Sequence, residues 1–280
     1  MLTTQKAKMK TARRNVLATL IATTIFVNAL ILFAGDIALQ NYLGNLVRPI
    51  LASAATALAL VVVARQGLAG IFGRSYAAMA GGLVLYLIAE ILWAYYSIGI
   101  GIEVPFPSLA DAFWLAAYAP FGYGLFKLAN LYKGIKSTNT RSTIIMAVLV
   151  GIFACYYIVQ LILVSDVSTP DGALGLAIGI AYPILDAILV VPALLAVLSA
   201  GRGYLTAVPW IFISWIFTAI ADSIFGFTAI TSMAYDISIW NVFYNIAYLS
   251  MAAGMYWHNR YMILDIKQVK TDSGRESVAA

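Results

Sequence analysis

Runs of about twenty apolar residues, separated by short polar breaks, recur along the whole chain. Each run is close to the length that crosses a bilayer as a helix. The pattern predicts spans at about 15–35, 45–64, 76–99, 108–131, 142–165, 173–199, 206–231 and 238–259. The expected fold class is therefore all-α: a polytopic membrane protein of eight transmembrane helices. The first span follows basic residues in the manner of a secretory signal, but it is longer than a typical signal core and has no clear small-residue cleavage site. It is expected to stay as an uncleaved helix.

Composition agrees. Of the 280 residues, 62% are hydrophobic and 10% charged, against about 25% charged in a soluble domain. The single cysteine, Cys155, lies in an apolar run and excludes an internal disulfide or a thiolate metal cluster. The basic pI of about 9.2 does not indicate a nucleic-acid partner, because the lysines and arginines flank the apolar spans, where they set topology.

Their placement predicts an orientation. Lys6, Lys8, Lys10, Arg13 and Arg14 precede span one. Arg65 and Arg74 bracket the second connection, Lys133, Lys136 and Arg141 the fourth, and Arg202 lies in the sixth. Arg260, Lys267, Lys270 and Arg275 follow span eight, while Asp36, Glu103, Asp166, Asp171 and Asp236 occupy the alternate connections. The positive-inside rule then puts both termini in the cytoplasm, and the expected location is the cell membrane. Arg48, at the outer start of span two, departs from this pattern. It is either an interfacial snorkelling arginine or the partner of a carboxylate. Lys127, near the inner end of span four, is close enough to the interface to snorkel.

The chain also repeats itself. Pro49-Ile50-Leu51 matches Pro183-Ile184-Leu185, and Ala89-Glu90 matches Ala221-Asp222. Ser108, Phe113, Ala117, Tyr118 and Gly124 match Ser238, Phe243, Ala247, Tyr248 and Gly254 at one offset, with Asp111 standing opposite Asn241. The unchanged order implies a basic segment over 1–14, a four-helix repeat over 15–131, a second over 142–260, and a flexible tail over 261–280. An even number of helices makes the repeats parallel.

Candidate chemistry lies in the few polar residues inside these spans. A carboxylate at the centre of a transmembrane helix costs about 2.5–3.5 kcal/mol on insertion scales, so it faces protein or a water-filled cavity. Glu90 and Asp222 occupy such positions at similar depth. Arg48, Asp111 and Asn241 fall near the same ends of their spans, and Asp186 lies nearer the midplane. Together they predict a cavity in the outer half of the bundle, edged by Tyr86, Trp93, Tyr118, Tyr182, Tyr244, Asn245 and Tyr248. The same aromatic residues also suit an interfacial belt. Other positions have structural alternatives. Ser108 to Asp111 and Ser238 to Asn241 read as capping boxes. Pro120, Pro183 and Pro192 read as kinks, His258 as an interface residue, and Ala80-Gly81-Gly82 as a close helix contact. Glu90 and Asp222 themselves are either a site or protonated acids hydrogen-bonded between helices.

No metal-ligand spacing, phosphate-cradling glycine loop, nucleophile elbow or mid-span lysine in spans seven and eight is present, so neither a metal nor another cofactor is expected.

Two resemblances follow from these residues. PSLADAFWLAAY, AYPILDAIL and AIADSIF, over roughly 76–260, resemble the multi-helix membrane input regions of bacterial and archaeal histidine kinases and diguanylate cyclases. That resemblance implies a sensory, ligand-binding bundle, here without an output domain and so acting through a cytoplasmic or membrane signalling partner. Arg48-Pro49, Ala89-Glu90 and Ala221-Asp222 resemble the eight-helix lysoplasmalogenase family, with Arg for Lys, Ala-Glu for Gly-Asp and Ala for Ser. That resemblance implies ether-lipid hydrolysis with Glu90 and Asp222 as the acid–base pair. The favoured expectation is binding of a membrane lipid or other apolar small molecule in the outward-facing cavity. Hydrolysis is the alternative and transport the third.

Overall fold

The computed structural model describes residues 2–102, 104–135, 140–165, 168, 170–199, 208–231 and 239–264. Every regular element among them is helical. In order they are α1 (Leu2–Leu32), α2 (Ile37–Gln66), α3 (Gly70–Ala94), α4 (Leu109–Ile135), α5 (Thr140–Val164), α6 (Pro170–Ser199), α7 (Val208–Thr231) and α8 (Ile239–Trp257). π-helical turns extend α3 over Tyr95–Gly99 and α8 over His258–Leu264. Among the described residues, five helical stretches are long and apolar enough to cross a membrane: Met9–Leu32, Ile37–Gln66, Gly70–Gly99, Ile144–Val164 and Gly172–Val197. They mark the chain as membrane-embedded.

Several helices outrun the apolar segments that predict them. α1 reaches back to Leu2 because Lys, Arg, Ala, Met and Gln are good helix formers and no Gly or Pro precedes Gly35. α2 starts at Ile37 rather than near 45: Asp36 caps it, its carboxylate accepting the Leu39 N–H at 2.8 Å. Arg48 consequently lies about three turns inside α2 instead of at its start, and it is buried. Gly67, at φ 71°, ends the helix. At the other end of the chain, Tyr261–Leu264 continue as π-helix where a flexible tail is expected. Glu103, Lys136, Asp166, Arg202, Asp236, Ser238, Lys267, Lys270 and Arg275 lie outside the described residues.

Small side chains let the central helices approach. α2 turns Ala52, Ala55, Thr56, Ala59 and Val62 inward, and the Thr56 hydroxyl reaches the carbonyls of both Ala52, at 2.7 Å, and Leu83 of α3, at 3.2 Å. Between α3 and α4, a Cβ on Gly82 would lie 2.8 Å from the Phe121 ring, and one on Gly124 would lie 2.9 Å from the Ser75 carbonyl oxygen. Lipid supplies no hydrophobic drive for helix pairing, so this close packing carries the association. The core runs from Tyr76, Met79 and Leu83 of α3 through Phe121, Leu125 and Leu128 of α4 to Trp215 of α7 and Met251 and Met255 of α8.

The packing order is α2 on α3, α3 on α4, α6 on α7 and α7 on α8, with α2 also against α8 and α6 against α4. α1 lies against α2 and α8, whereas α5 lies against α6 and α7. Both outer helices turn large apolar side chains away from the bundle, among them Phe26 on α1 and Ile152, Phe153 and Leu163 on α5. Cys155 is exposed on α5. His258, expected at an interface, is instead buried. Its ring lies 4.1 Å from that of Tyr76, and its Nε2 is 3.1 Å from Gln66 Oε1. Beside it Arg65 donates to Asn259 at 2.9 Å, tying the end of α2 to the end of the chain's last helix.

Candidate functional site

A cavity of about 1150 Å³ opens at the opposite end of the bundle from His258. Its wall takes residues from the first half of α2, the last turns of α3 and its π-helical extension, the start of α4 and the end of α5. The starts of α6 and α8 and the second half of α7 complete it. Seven of the eight helices thus contribute; α1 does not.

One face of α2 supplies Asn41, Asn45 and Arg48, spaced i, i+4 and i+7. Asn45 Oδ1 accepts from Arg48 Nη2 and from Trp93 Nε1, each at 3.1 Å, which fixes the arginine beside the tryptophan of α3. The guanidinium lies over two rings, 5.3 Å from the Trp93 centroid and 5.7 Å from that of Tyr244, within cation–π range. Its Nε is 3.6 Å from Glu90 Oε2, too far for a hydrogen bond but close enough for an ion pair. Arg48 and Glu90 are 4% and 2% exposed at their side chains, so the pair is desolvated and each charge depends on the other. Glu90 Oε1 accepts from the Tyr248 hydroxyl at 2.8 Å.

The second acid is held differently. Asp222 Oδ1 accepts from the Tyr244 hydroxyl, and Oδ2 from that of Tyr118 at 3.3 Å. The same Tyr118 hydroxyl lies 2.6 Å from Asp186 Oδ1. A phenol has one hydrogen, so Asp186 takes most of it. No Lys or Arg nitrogen among the described residues lies within 4.0 Å of Asp222 or Asp186. Tyr244 and Tyr248 stand one turn apart on α8, about 6 Å along the axis, so Asp222 and Glu90 meet successive rungs of one helix.

Asp111 has both expected roles. Oδ2 accepts the Ser108 N–H at 2.7 Å and the Ser108 hydroxyl at 2.8 Å, closing the cap of α4, and Oδ1 accepts the Tyr182 hydroxyl from α6 at 2.9 Å. Asn241 lines the cavity, is 4% exposed, and leaves its Oδ1 without a hydrogen-bond partner among the described residues.

The candidates therefore divide. Arg48, Tyr86, Glu90, Trp93, Asp111, Tyr182, Asp222, Asn241, Tyr244 and Tyr248 line one cavity. Tyr118 and Asp186 stand behind Asp222 and reach the cavity through it. Asn245 does not join them: it is fully buried and donates at 3.0 Å to Asn28 of α1, lying one turn deeper than Asn241, where α1 packs against α8. Asn41 and Asn45 escape a reading that starts span two at residue 45, although their spacing with Arg48 is the signal of a single helical face. Trp114, Tyr157, Phe225 and the glycines of α6, Gly172, Gly175 and Gly179, also belong to the wall. Tyr157 crosses from α5 to α7, where its hydroxyl occupies the space that a side chain at Gly226 would fill. Among the described residues no group of three or more His, Cys, Asp and Glu is placed to hold a metal.

No family model matches the chain, and neither a curated protein nor a solved structure matches it.

Proposed function

We propose that this protein binds a lipid or other apolar small molecule in the cavity and acts as a sensory or ligand-binding component through a partner. The observation that carries the reading is the make-up of a single 1150 Å³ space. Its walls are aromatic and glycine-lined, and its polar groups converge at one end around Glu90 and Asp222. A largely apolar pocket with a few convergent polar groups is the usual form of a small-molecule site.

In this proposal all eight helices cross the membrane, both termini are cytoplasmic, and the cavity faces outward. The sequence asymmetry of Lys and Arg supports the orientation. Arg65, Arg260 and His258 gather at the end away from the cavity, which suits a cytoplasmic face for the partner. The proposal also includes two parallel four-helix repeats, and a crossed hydrogen-bond pattern supports them. Tyr248 of α8 bonds Glu90 of α3, while its sequence counterpart Tyr118 of α4 bonds Asp222 of α7, the counterpart of Glu90. The packing of α2 on α8 and of α6 on α4 has the same crossed form.

Ether-lipid hydrolysis draws less support. Arg48 and Tyr248 engage the two oxygens of Glu90, and tyrosine hydroxyls engage those of Asp222. Glu90, which that chemistry needs as one of the acid–base pair, is thus committed to Arg48 and Tyr248 and not presented to a substrate.

Native mass spectrometry of the full chain released from membranes in mild detergent tests the binding reading. The expected spectrum contains the chain carrying one small amphiphile. A bare chain under every release condition contradicts it.

A further inference from the structure

The charge balance of the cavity defines the head group of its ligand, an inference that rests on the binding reading above. Among the described residues, four charged side chains line the space: Arg48, Glu90, Asp111 and Asp222. Three of them are answered from within the fold. Arg48 is paired with Glu90 and fixed by Asn45. Asp111 accepts three hydrogen bonds from Ser108 and Tyr182. Asp222 has, among the described residues, two tyrosine hydroxyl donors and no cation, and one of those hydroxyls is shared with Asp186 just behind it. The guanidinium that would attract an anion is already paired with Glu90.

The surroundings of Asp222 add a second, independent feature: aromatic rings lie close by. Phe225 lies three residues on from Asp222 on α7 and is flanked by Trp93 and Trp240 at centroid distances of 5.7 and 5.6 Å. Tyr157 reaches α7 at Gly226, one turn on from Asp222, and Tyr244 is bonded to the carboxylate itself. Ring faces around a carboxylate are the surroundings in which a substituted ammonium is bound.

We propose that the ligand is an amphiphile with a positively charged nitrogen, a quaternary or protonated amine, seated at Asp222 beside Tyr157 and Phe225. Its apolar chain lies along the part of the wall formed by Leu161 of α5 and Leu176 of α6. The ammonium supplies the positive charge that Asp222 lacks.

Equilibrium binding to the full chain in nanodiscs tests this with three probes of one chain length: decyltrimethylammonium, decyl phosphate and decanol. The wild-type chain is expected to hold decyltrimethylammonium at least about tenfold tighter than decanol, the scale of a desolvated cation–π contact reinforced by a carboxylate. D222N is expected to erase that preference, bringing decyltrimethylammonium and decanol to within about twofold of each other. If decanol or decyl phosphate binds as tightly as decyltrimethylammonium in the wild type, the cationic head group is wrong and the cavity reading stands. A cationic preference that persists undiminished in D222N also overturns the assignment to Asp222. If no probe of any charge binds, the cavity reading itself fails. The wild-type comparison needs no variant, so a folding defect in D222N leaves the proposal decidable.

Discussion

Arg48 is the residue on which the polar end of the cavity turns. It is buried three turns into α2, stacked between Trp93 and Tyr244, hydrogen-bonded to Asn45 and paired with Glu90. Removing one member of a buried ion pair strands the other, at a cost of about 3–5 kcal/mol, whereas removing both is far milder. R48A is therefore expected to lower unfolding free energy in mixed micelles by about 3 kcal/mol or more, and R48A/E90Q to recover a substantial part of that loss. An R48A chain as stable as the wild type would show that Glu90 does not depend on the arginine. Asp222 needs no such partner from the chain. Its neighbours are tyrosine hydroxyls and a second acid, and this difference between the two carboxylates separates a structural ion pair from a position open to a ligand.

At the scale of the helices, the α3–α4 contact shows how the scaffold is made rigid enough to hold such a cavity. Gly124 lets α4 close onto the backbone of α3, with Ser75 O 2.9 Å from where its Cβ would lie. The obstacle is main chain, not a movable side chain, so G124A must push the helices apart. Over-packing of this kind costs about 1–3 kcal/mol, and thermal unfolding in detergent is expected to register a loss of that size. An unchanged midpoint would mean that the two helices are free to separate. The helices were largely legible from apolar run length, and Glu90, Asp222 and Arg48 from their cost in an apolar span. The start of α2 was not, because Asn41 and Asn45 depress local hydropathy at the turns where they face a cavity in place of lipid. Asn245 was misjudged for the opposite reason. A polar residue one turn from Asn241 shares its side of α8 only approximately, and deeper in the bundle that side meets α1. Tyr157 and the α6 glycines carry no polar signal in an apolar helix; only the assembled bundle gives them a role.

For the whole molecule, the inner helices pack in a corresponding order and the outer ones do not. α2, α3, α4 and α6, α7, α8 pack in corresponding order, but α1 lies against α8 while α5 lies against α7. That placement brings Tyr157 and Leu161 of α5 to the cavity and leaves α1 out of it. The central claim is that this cavity faces outward and holds an amphiphile. Gly175 lies on its wall with ordinary contact room for a Cβ, 3.7 Å from Phe106, and Cys155 is the chain's only native thiol. The direct measurement is modification of a G175C/C155S chain in intact cells by a small membrane-impermeant methanethiosulfonate. The account predicts modification from the outside without permeabilisation, and slowing of that modification when decyltrimethylammonium occupies the site. Modification only after the cells are opened, or a rate indifferent to the amphiphile, would contradict it.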